Sequence, residues 1–216
     1  MTEVLAWRLP ELIAYQDLKY AQRYIEVVQR ARAAETSTSD SRSEFSRAVA
    51  RNLFHLMAYK DEYEVARLYT DTAFMAKINA QFEGDFKVNF HLAPPLFAKR
   101  NANGELVKKR YGPWMMSAFG LLAKMKGLRG GALDIFGYTE ERRKERAMIG
   151  EYRDTLRGLI GELSAANLEQ VTAIAALPEE IRGYGHVKER HLKVAEEKRA
   201  LLLQSMRAPA QAAKAA

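Results

Sequence analysis

A dense group of ionisable side chains occurs in the segment YKDEYE at residues 59–64. Carboxylates that face each other can act as a general acid and a general base, so this segment is a candidate catalytic site. On a helix, however, the neighbouring Asp61 and Glu62 point about 100° apart. Glu64 shares a helix face with both Asp61 and Lys60, which suits ion pairing. We therefore favour an ion-paired network that joins two helices over a catalytic site.

A second candidate site is the glycine-rich stretch GLRGGALDIFG at residues 127–137. Backbone N–H groups in such a loop can cradle a phosphate, and the Arg129 guanidinium could bind its oxygens. The stretch matches neither the GxGxxG nor the GxxxxGK[ST] pattern. A tight loop between helices needs glycines as well, so the tight-loop interpretation is favoured.

The densest basic group outside the C-terminal region consists of Arg100, Lys108, Lys109 and Arg110. If these side chains converge with Arg129, they form an anion site suited to a phosphate-bearing group such as CoA. Exposed cations that keep the protein in solution are the competing explanation, which we favour. These five residues are the predicted cofactor-binding candidates, and no catalytic residue is predicted.

The four histidines give no metal-binding pattern. His186 and His191 are five residues apart, which places them on different faces of a helix, and no pair has the spacing of a zinc site. His55 and His91 have no nearby histidine or cysteine in the sequence. We predict no metal site, and we expect the histidines to be exposed or bonded structurally.

Composition excludes several kinds of chemistry. The 216 residues contain no cysteine, so this chain has no disulfides, thiolate nucleophiles or Cys-ligated iron–sulfur clusters. No apolar run approaches the roughly 18 residues of a membrane span, and the N-terminus lacks a signal-peptide core, which predicts a cytoplasmic protein. The formal net charge of +7 suits nucleic acid, anionic membranes or acidic partners without choosing among them.

Hydrophobic spacing predicts a mainly α fold, a helical bundle-like domain with a small β-hairpin insertion at about 86–111. The hairpin prediction rests on the alternation of Phe86, Val88, Phe90 and Leu92, which is typical of a half-buried strand. A single domain is expected over residues 1–207, followed by a disordered tail at 208–216. The first two helices should pair antiparallel, and the predicted helices cover about 10–35, 43–82, 112–126, 140–163 and 186–206.

Six blocks rich in aromatic residues, proline and glycine follow one another along the chain. They are YQDLKYAQRY at 15–24, LMAYKDEYEVARLY at 56–69, FHLAPPL at 90–96, RYGPWM at 110–115, LDIFGYTEERRKER at 133–146 and IRGYGHVKE at 181–189. In this order they resemble the C-terminal region of the large fused indolepyruvate:ferredoxin oxidoreductases, a branch of the 2-oxoacid:ferredoxin oxidoreductases. The resemblance covers roughly residues 10–200. We expect an excised domain or a split-off piece, with a stand-alone homologue as the alternative.

The resemblance implies a parent enzyme that oxidatively decarboxylates aryl 2-oxoacids to acyl-CoA and passes electrons to ferredoxin. It implies thiamine pyrophosphate, iron–sulfur clusters and CoA for that parent, which would be dimeric. This chain would be a non-catalytic C-terminal accessory domain without a cofactor of its own. It would pack on the catalytic domains of the parent, with ferredoxin as a further partner, and would be inactive when isolated.

The alternative is a basic helical module that binds nucleic acid or protein. Nucleic acid is disfavoured because the aromatic residues fall at helical core spacing instead of interleaving with cations on a surface. An autonomous hydrolase or isomerase is a third hypothesis, but the sequence offers no nucleophile–base pair for it. We interpret one aromatic cluster as core or domain interface: Tyr111, Trp114, Met115, Met116 and Phe119.

Overall fold

The computed structural model describes residues 2–39, 41–93, 107–183 and 185–207. Within these ranges the chain is mainly helical and carries one two-stranded antiparallel sheet, which confirms the predicted fold class. The α-helices are α1 Thr2–Tyr15, α2 Leu18–Thr38, α3 Glu44–Met57, α4 Glu62–Thr70, α5 Thr72–Gln81, α6 Met115–Lys124, α7 Glu140–Gly161, α8 Leu168–Ala176 and α9 Gly185–Arg207. The strands are β1 Phe90–Leu92 and β2 Lys109–Tyr111, and short 3-10 helices cover Met125–Leu128 and Leu177–Glu180.

The chain divides into two compact units. Unit 1 consists of Met1–Ala58 and Lys144–Ala216, and unit 2 consists of Tyr59–Arg143. The single domain expected over residues 1–207 stays a prediction, because a division by contacts does not test how the chain folds. The Asn103–Gly104 turn, the prolines Pro94 and Pro95 and the tail at 208–216 lie outside the described residues.

Unit 1 contains an apolar core. Helices α1, α2, α3, α7 and α8 contribute buried side chains to it. Tyrosine hydroxyl groups in this core donate hydrogen bonds to backbone carbonyl oxygens of helices. Tyr24 donates to the Ala50 carbonyl oxygen at 2.9 Å, and Tyr152 donates to the Ala175 carbonyl oxygen at 2.7 Å. Burial raises the pKa of Tyr24 to about 12, and the nearby Arg8 charge lowers it. The hydroxyls therefore remain neutral donors inside the core.

Unit 1 also buries the Glu35 carboxylate, near the end of α2. Its two oxygens accept the backbone N–H groups of Phe45 and Ser46 at 2.8 Å and 3.1 Å, and the Ser46 hydroxyl donates to it as well. These N–H groups open α3, where the first turn has no helical partners and the helix dipole favours a negative charge. Glu35 therefore caps α3 from a different helix, while the residue before α3, Ser43, makes no side-chain cap bond.

The helix predicted over residues 10–35 is wrong, because two helices occupy this region. α1 begins at Thr2, since Val4, Leu5 and Leu9 pack against the core of unit 1. Pro10 therefore lies inside α1 and not in its first turn.

The break between α1 and α2 comes at Asp17. The Asp17 side chain accepts the backbone N–H of Tyr20 at 2.6 Å, which caps the start of α2. An aspartate in the cap position satisfies an N–H that the first turn leaves without a helical partner. The helical spacing of apolar residues continues across Asp17, so this spacing alone does not reveal the break between the two helices.

The helix predicted over residues 43–82 is also wrong, because it consists of α3, α4 and α5. Asp61 caps α4 by accepting the Glu64 backbone N–H at 2.8 Å. Asp71 caps α5 by accepting the Ala73 backbone N–H at 2.8 Å. As at Asp17, an aspartate side chain starts a new helix within a continuous apolar pattern.

Unit 2 has a small aromatic core. The rings of Tyr69, Phe90 and Phe119 contact one another with centroids 5.2 Å to 5.3 Å apart. Phe90 pairs with Tyr111 in the β1–β2 register, so one face of the hairpin covers this core. The strand predicted from residue 86 begins only at Phe90, and the predictions for α6, α7 and α9 agree with the structure to within three residues.

Candidate functional site

The YKDEYE segment and the glycine-rich loop meet in unit 2, and a buried ion pair joins them. Arg129 donates to the Asp61 carboxylate through Nε and through Nη2, the latter at 2.8 Å. The two side chains are only 3% and 4% exposed. This two-point contact matches the planar fork of a guanidinium to a carboxylate. Asp61 therefore caps α4 and holds the loop at the same time.

A second buried carboxylate organises the loop itself. Asp134 accepts the backbone N–H of Gly130 at 2.7 Å, the backbone N–H of Gly137 at 3.0 Å and the Tyr63 hydroxyl at 3.2 Å. Gly130 has a φ of +75°, a conformation that favours glycine. Two of the backbone N–H groups that could have cradled a phosphate are thus bound by a carboxylate of the same loop.

Tyr63 links this carboxylate to α4. Its ring meets the Phe136 ring edge-on at 5.5 Å, and the Arg129 guanidinium lies 5.5 Å from its centroid. Burial raises the pKa of Tyr63, and the negative charges of Asp134 and Asp61 raise it further. The Tyr63 phenol is therefore held as a neutral donor to Asp134.

A third contact joins the start of α7 to α4. Arg142 donates to both Glu62 oxygens, through Nε and Nη2, at 3.3 Å each. Burial lowers the pKa of Arg142, but the bonded Glu62 carboxylate and the nearby charges of Glu141 and Asp61 together raise it, so the net shift is upward. Thr139 accepts the Arg142 backbone N–H at 3.4 Å, which agrees with the predicted helix start.

The last acid of the segment also has a basic partner. Glu64 binds Arg67 of the same helix through two contacts, at 2.8 Å and 2.9 Å. Helical spacing suggested Lys60 as the partner of Glu64. Lys60, however, precedes α4 and is exposed, and Arg67 pairs with Glu64 instead. The predicted ion-paired network is present, and Asp61, Glu62 and Glu64 each have a named basic partner.

The predicted anion-site residues fall into two groups. Arg129 is buried against Asp61, so its guanidinium already has a counter-charge inside the protein. Lys109 and Arg110 lie in β2 and Lys108 directly before it, and all three are exposed. Arg110 Nε donates to Asn89 Oδ1 at 3.4 Å. Arg100 lies outside the described residues. CoA binding by these residues stays a prediction, but Arg129 would have to leave Asp61 to take part.

The histidines do not gather at this site. His191 bonds the Arg182 backbone through Nδ1, at 2.9 Å from the carbonyl oxygen, while His55, His91 and His186 are exposed. In the ranges that the structure describes, no three His, Cys, Asp or Glu side chains form a group that could hold a metal ion.

Two buried carboxylates, Glu35 and Asp134, were not among the sequence-based predictions. Glu35 and Asp134 are 0% and 3% exposed, and each accepts backbone N–H groups. The signal for Asp134 was its position four residues after the turn glycine Gly130, where a carboxylate can fold back onto the loop. Glu35 has no comparable signal, because its partners follow ten and eleven residues later.

The aromatic cluster around residues 111–119 is divided between core and surface. Phe119 is buried, and Met115 and Met116 pack against the same small core. Trp114, by contrast, is 62% exposed. The interpretation as core is therefore confirmed for Phe119 and the methionines and not for the tryptophan.

Fold and site together define a mainly α-helical protein in which the buried charged groups of unit 2 that the structure describes are ion-paired or hydrogen-bonded within the chain. The chain belongs to the family of unknown function DUF6537, whose model matches residues 1–200. No curated protein and no solved structure matches it. None of the described helices combines the length and the apolar character needed to cross a bilayer.

Proposed function

We propose that this chain is a non-catalytic accessory domain of an enzyme like the indolepyruvate:ferredoxin oxidoreductases, whose chemistry takes place on other domains. One observation carries the proposal. The blocks behind the sequence resemblance supply both sides of the buried network in unit 2, with Asp61 and Glu62 on one side and Asp134 and Arg142 on the other. Their ionisable groups stabilise the unit, which is the role expected of an accessory domain.

The cofactors of the parent enzyme differ in whether this chain could bind them. Iron–sulfur clusters do not fit, because the sequence has no cysteine to ligate them. Thiamine pyrophosphate would be bound on the catalytic domains. Of the predicted anion-site residues that the structure describes, Lys108, Lys109 and Arg110 are exposed and would contact CoA. A cytoplasmic location and a dimeric parent belong to the same proposal.

The first part of the test is an assay of the purified chain. With indolepyruvate, CoA and a viologen acceptor, it should show no 2-oxoacid oxidation. Turnover by the chain alone would contradict the proposal, because the reaction needs thiamine and iron–sulfur chemistry that would then have to reside here.

The second part is reconstitution with the polypeptide from the same genome that carries the thiamine and iron–sulfur domains. The proposal predicts that the two polypeptides co-elute in gel filtration and that the chain raises the thermal stability or the turnover of its partner. Bovine serum albumin at the same concentration is the control for non-specific stabilisation. No co-elution and no change in the partner would contradict the accessory role.

A further inference from the structure

Helix α6 is apolar on two opposite faces. Its inner face contributes Phe119, which is 6% exposed, and Leu122 to the small core of unit 2. On the outer face Trp114, Leu121 and Met125 are 62%, 66% and 38% exposed. These three positions are seven and four residues apart, so they lie along one side of the helix and its 3-10 extension.

This outer face differs from the ordinary surface of a helix. Ala118 is also exposed and fills the interval between Trp114 and Leu121. We call Trp114, Ala118, Leu121 and Met125 the α6 stripe. Single exposed apolar side chains need no explanation, but an aligned group of large ones is typical of an interaction surface. A helix packed on one side normally presents polar residues on the other.

The described charged residues that neighbour the α6 stripe in sequence have one sign. The described residues from 86 to 133 include no Asp or Glu, and their cations are Lys87, Lys108, Lys109, Arg110, Lys124, Lys126 and Arg129. Of these, Arg129 is paired internally with Asp61.

Basic residues flank the α6 stripe at both ends. Trp114 contacts Tyr111 of β2, with ring centroids 6.1 Å apart, and Tyr111 directly follows Lys109 and Arg110. Lys124, which is exposed, lies at the other end of α6. The apolar stripe is therefore adjoined in sequence by exposed basic residues at both ends.

We propose that the α6 stripe docks an acidic amphipathic helix of a partner protein. The exposed apolar side chains need an apolar surface opposite them, and the cations at both ends need carboxylates. Eleven residues separate Trp114 from Met125, so the stripe is roughly 16 Å long and matches about three turns of a partner helix. Helices bind such surfaces through anchors spaced at i, i+4 and i+7, and a tryptophan is a favoured anchor.

Two other occupants suit this surface less well. Single-stranded nucleic acid stacks its bases on aromatic rings, and the α6 stripe offers one ring, Trp114, beside the aliphatic Leu121 and Met125. An anionic membrane binds helices in proportion to their buried apolar area, and three large side chains provide little of it. The proposal is independent of the function proposed above, because it uses only the exposed residues of unit 2.

The test uses two synthetic helical peptides of equal length. One carries leucines along one face and glutamates beside them, and the other carries lysines in place of the glutamates. Binding of the fluorescently labelled peptides to the full chain is measured by anisotropy. The acidic peptide should bind saturably and at least about tenfold more tightly than the basic one. Higher salt should weaken the binding, because exposed charges are screened within about 10 Å at 0.1 M.

Matched variants locate the site. Leu121→Glu and Trp114→Ala should each weaken binding of the acidic peptide at least about tenfold, as expected for central anchors. Leu201→Glu and Trp7→Ala are the controls, because Leu201 is 66% exposed and Trp7 is 77% exposed in unit 1. The controls should leave the affinity unchanged. Leu121→Gln replaces Leu121→Glu if circular dichroism shows that the glutamate variant has lost helix.

Several results would overturn the proposal. The acidic peptide could fail to saturate, the basic peptide could bind equally well, or the control variants could weaken binding as much as the stripe variants. The same proteins are also tested with vesicles of 70% phosphatidylcholine and 30% phosphatidylserine, with an oligo(dT) strand and by gel filtration over a concentration series. If Leu121→Glu abolishes one of these interactions and leaves peptide binding intact, the occupant is a membrane, a nucleic acid or a second copy instead.

Discussion

Unit 1 and unit 2 bury different kinds of side chain. In the described part of the chain, unit 1 holds 24 buried apolar residues and only two buried charged ones, Glu35 and Glu145. Unit 2 holds five buried apolar residues and five buried charged ones, which are Asp61, Glu64, Arg129, Asp134 and Arg142. A region with little apolar surface to bury can therefore fix its helices and loops through buried charged groups, provided that each is ion-paired or hydrogen-bonded inside the protein.

The largest effect is expected from breaking the pair at the centre of unit 2. Asp61→Ala leaves the Arg129 guanidinium buried without its carboxylate and removes the cap of α4. It should cost about 3–5 kcal/mol of unfolding free energy, which is the usual penalty for an uncompensated buried charge. Urea denaturation followed by circular dichroism measures this cost. A cost under about 1 kcal/mol would show that the network contributes no more than surface pairs do.

The corresponding change in unit 1 should be smaller. Glu35→Ala removes the acceptor for two N–H groups at the start of α3, but it strands no buried cation, because Arg32 is 36% exposed. The expected cost is about 1.5–3 kcal/mol, the range for hydrogen bonds to a charged group. The same urea series measures it. If Glu35→Ala cost more than Asp61→Ala, the contrast between the units would be wrong.

A pH titration tests the neutral hydroxyls in the core of unit 1. Tyr24 has its pKa raised to about 12 by burial, whereas an exposed tyrosine in the unfolded chain ionises near pH 10. Unfolding therefore releases a proton above pH 10, and stability should fall by about 1.4 kcal/mol per pH unit between pH 10 and pH 12. Below pH 10 this contribution is constant.

Tyr24→Phe isolates this contribution, because the phenylalanine cannot ionise. The difference in urea midpoint between the wild-type protein and the variant should be constant below pH 10 and change as the pH rises towards 12. A difference that does not vary with pH would mean that Tyr24 ionises alike in the folded and unfolded chains.

The smallest effect is expected at an exposed ion pair. Asp154 and Arg157 are 69% and 71% exposed on α7 and lie 2.8 Å apart. Asp154→Ala should change the unfolding free energy by less than about 1 kcal/mol, because solvent screens the pair. This variant is the baseline for the two buried carboxylates. If Asp154→Ala cost as much as Asp61→Ala, burial would not explain why the buried carboxylates stabilise the protein more than the exposed one.

The sequence predicts the long amphipathic helices well. The predictions for α7 and α9 agree with the structure to within two residues at each end, because their apolar positions repeat over more than five turns. The breaks at Asp17, Asp61 and Asp71 were not predicted, since neither glycine nor proline marks them. The spacing of Asp61 and Glu64 was a usable signal, because an acid three residues before a glutamate at the start of a helix resembles a capping box.

The candidate site was only partly predictable. The residue types in YKDEYE favoured an ion-paired network, and the glycine-rich loop favoured a tight turn. The partner of Asp61, however, is Arg129, which is 68 residues away, and no local pattern connects the two. In the sequence, the glycines beside Arg129 make it a candidate ligand for an external anion. The folded chain provides an internal anion instead.

The most direct test of the account is a double-mutant cycle on Asp61 and Arg129. It compares Asp61→Ala, Arg129→Met and the double variant by urea denaturation, with amide hydrogen exchange used to locate the effect. The double variant should lose less stability than the two single variants together, by about 2–3 kcal/mol, and the single variants should exchange faster in unit 2. Additive costs, or faster exchange confined to unit 1, would contradict the claim that buried charge pairs hold unit 2 together.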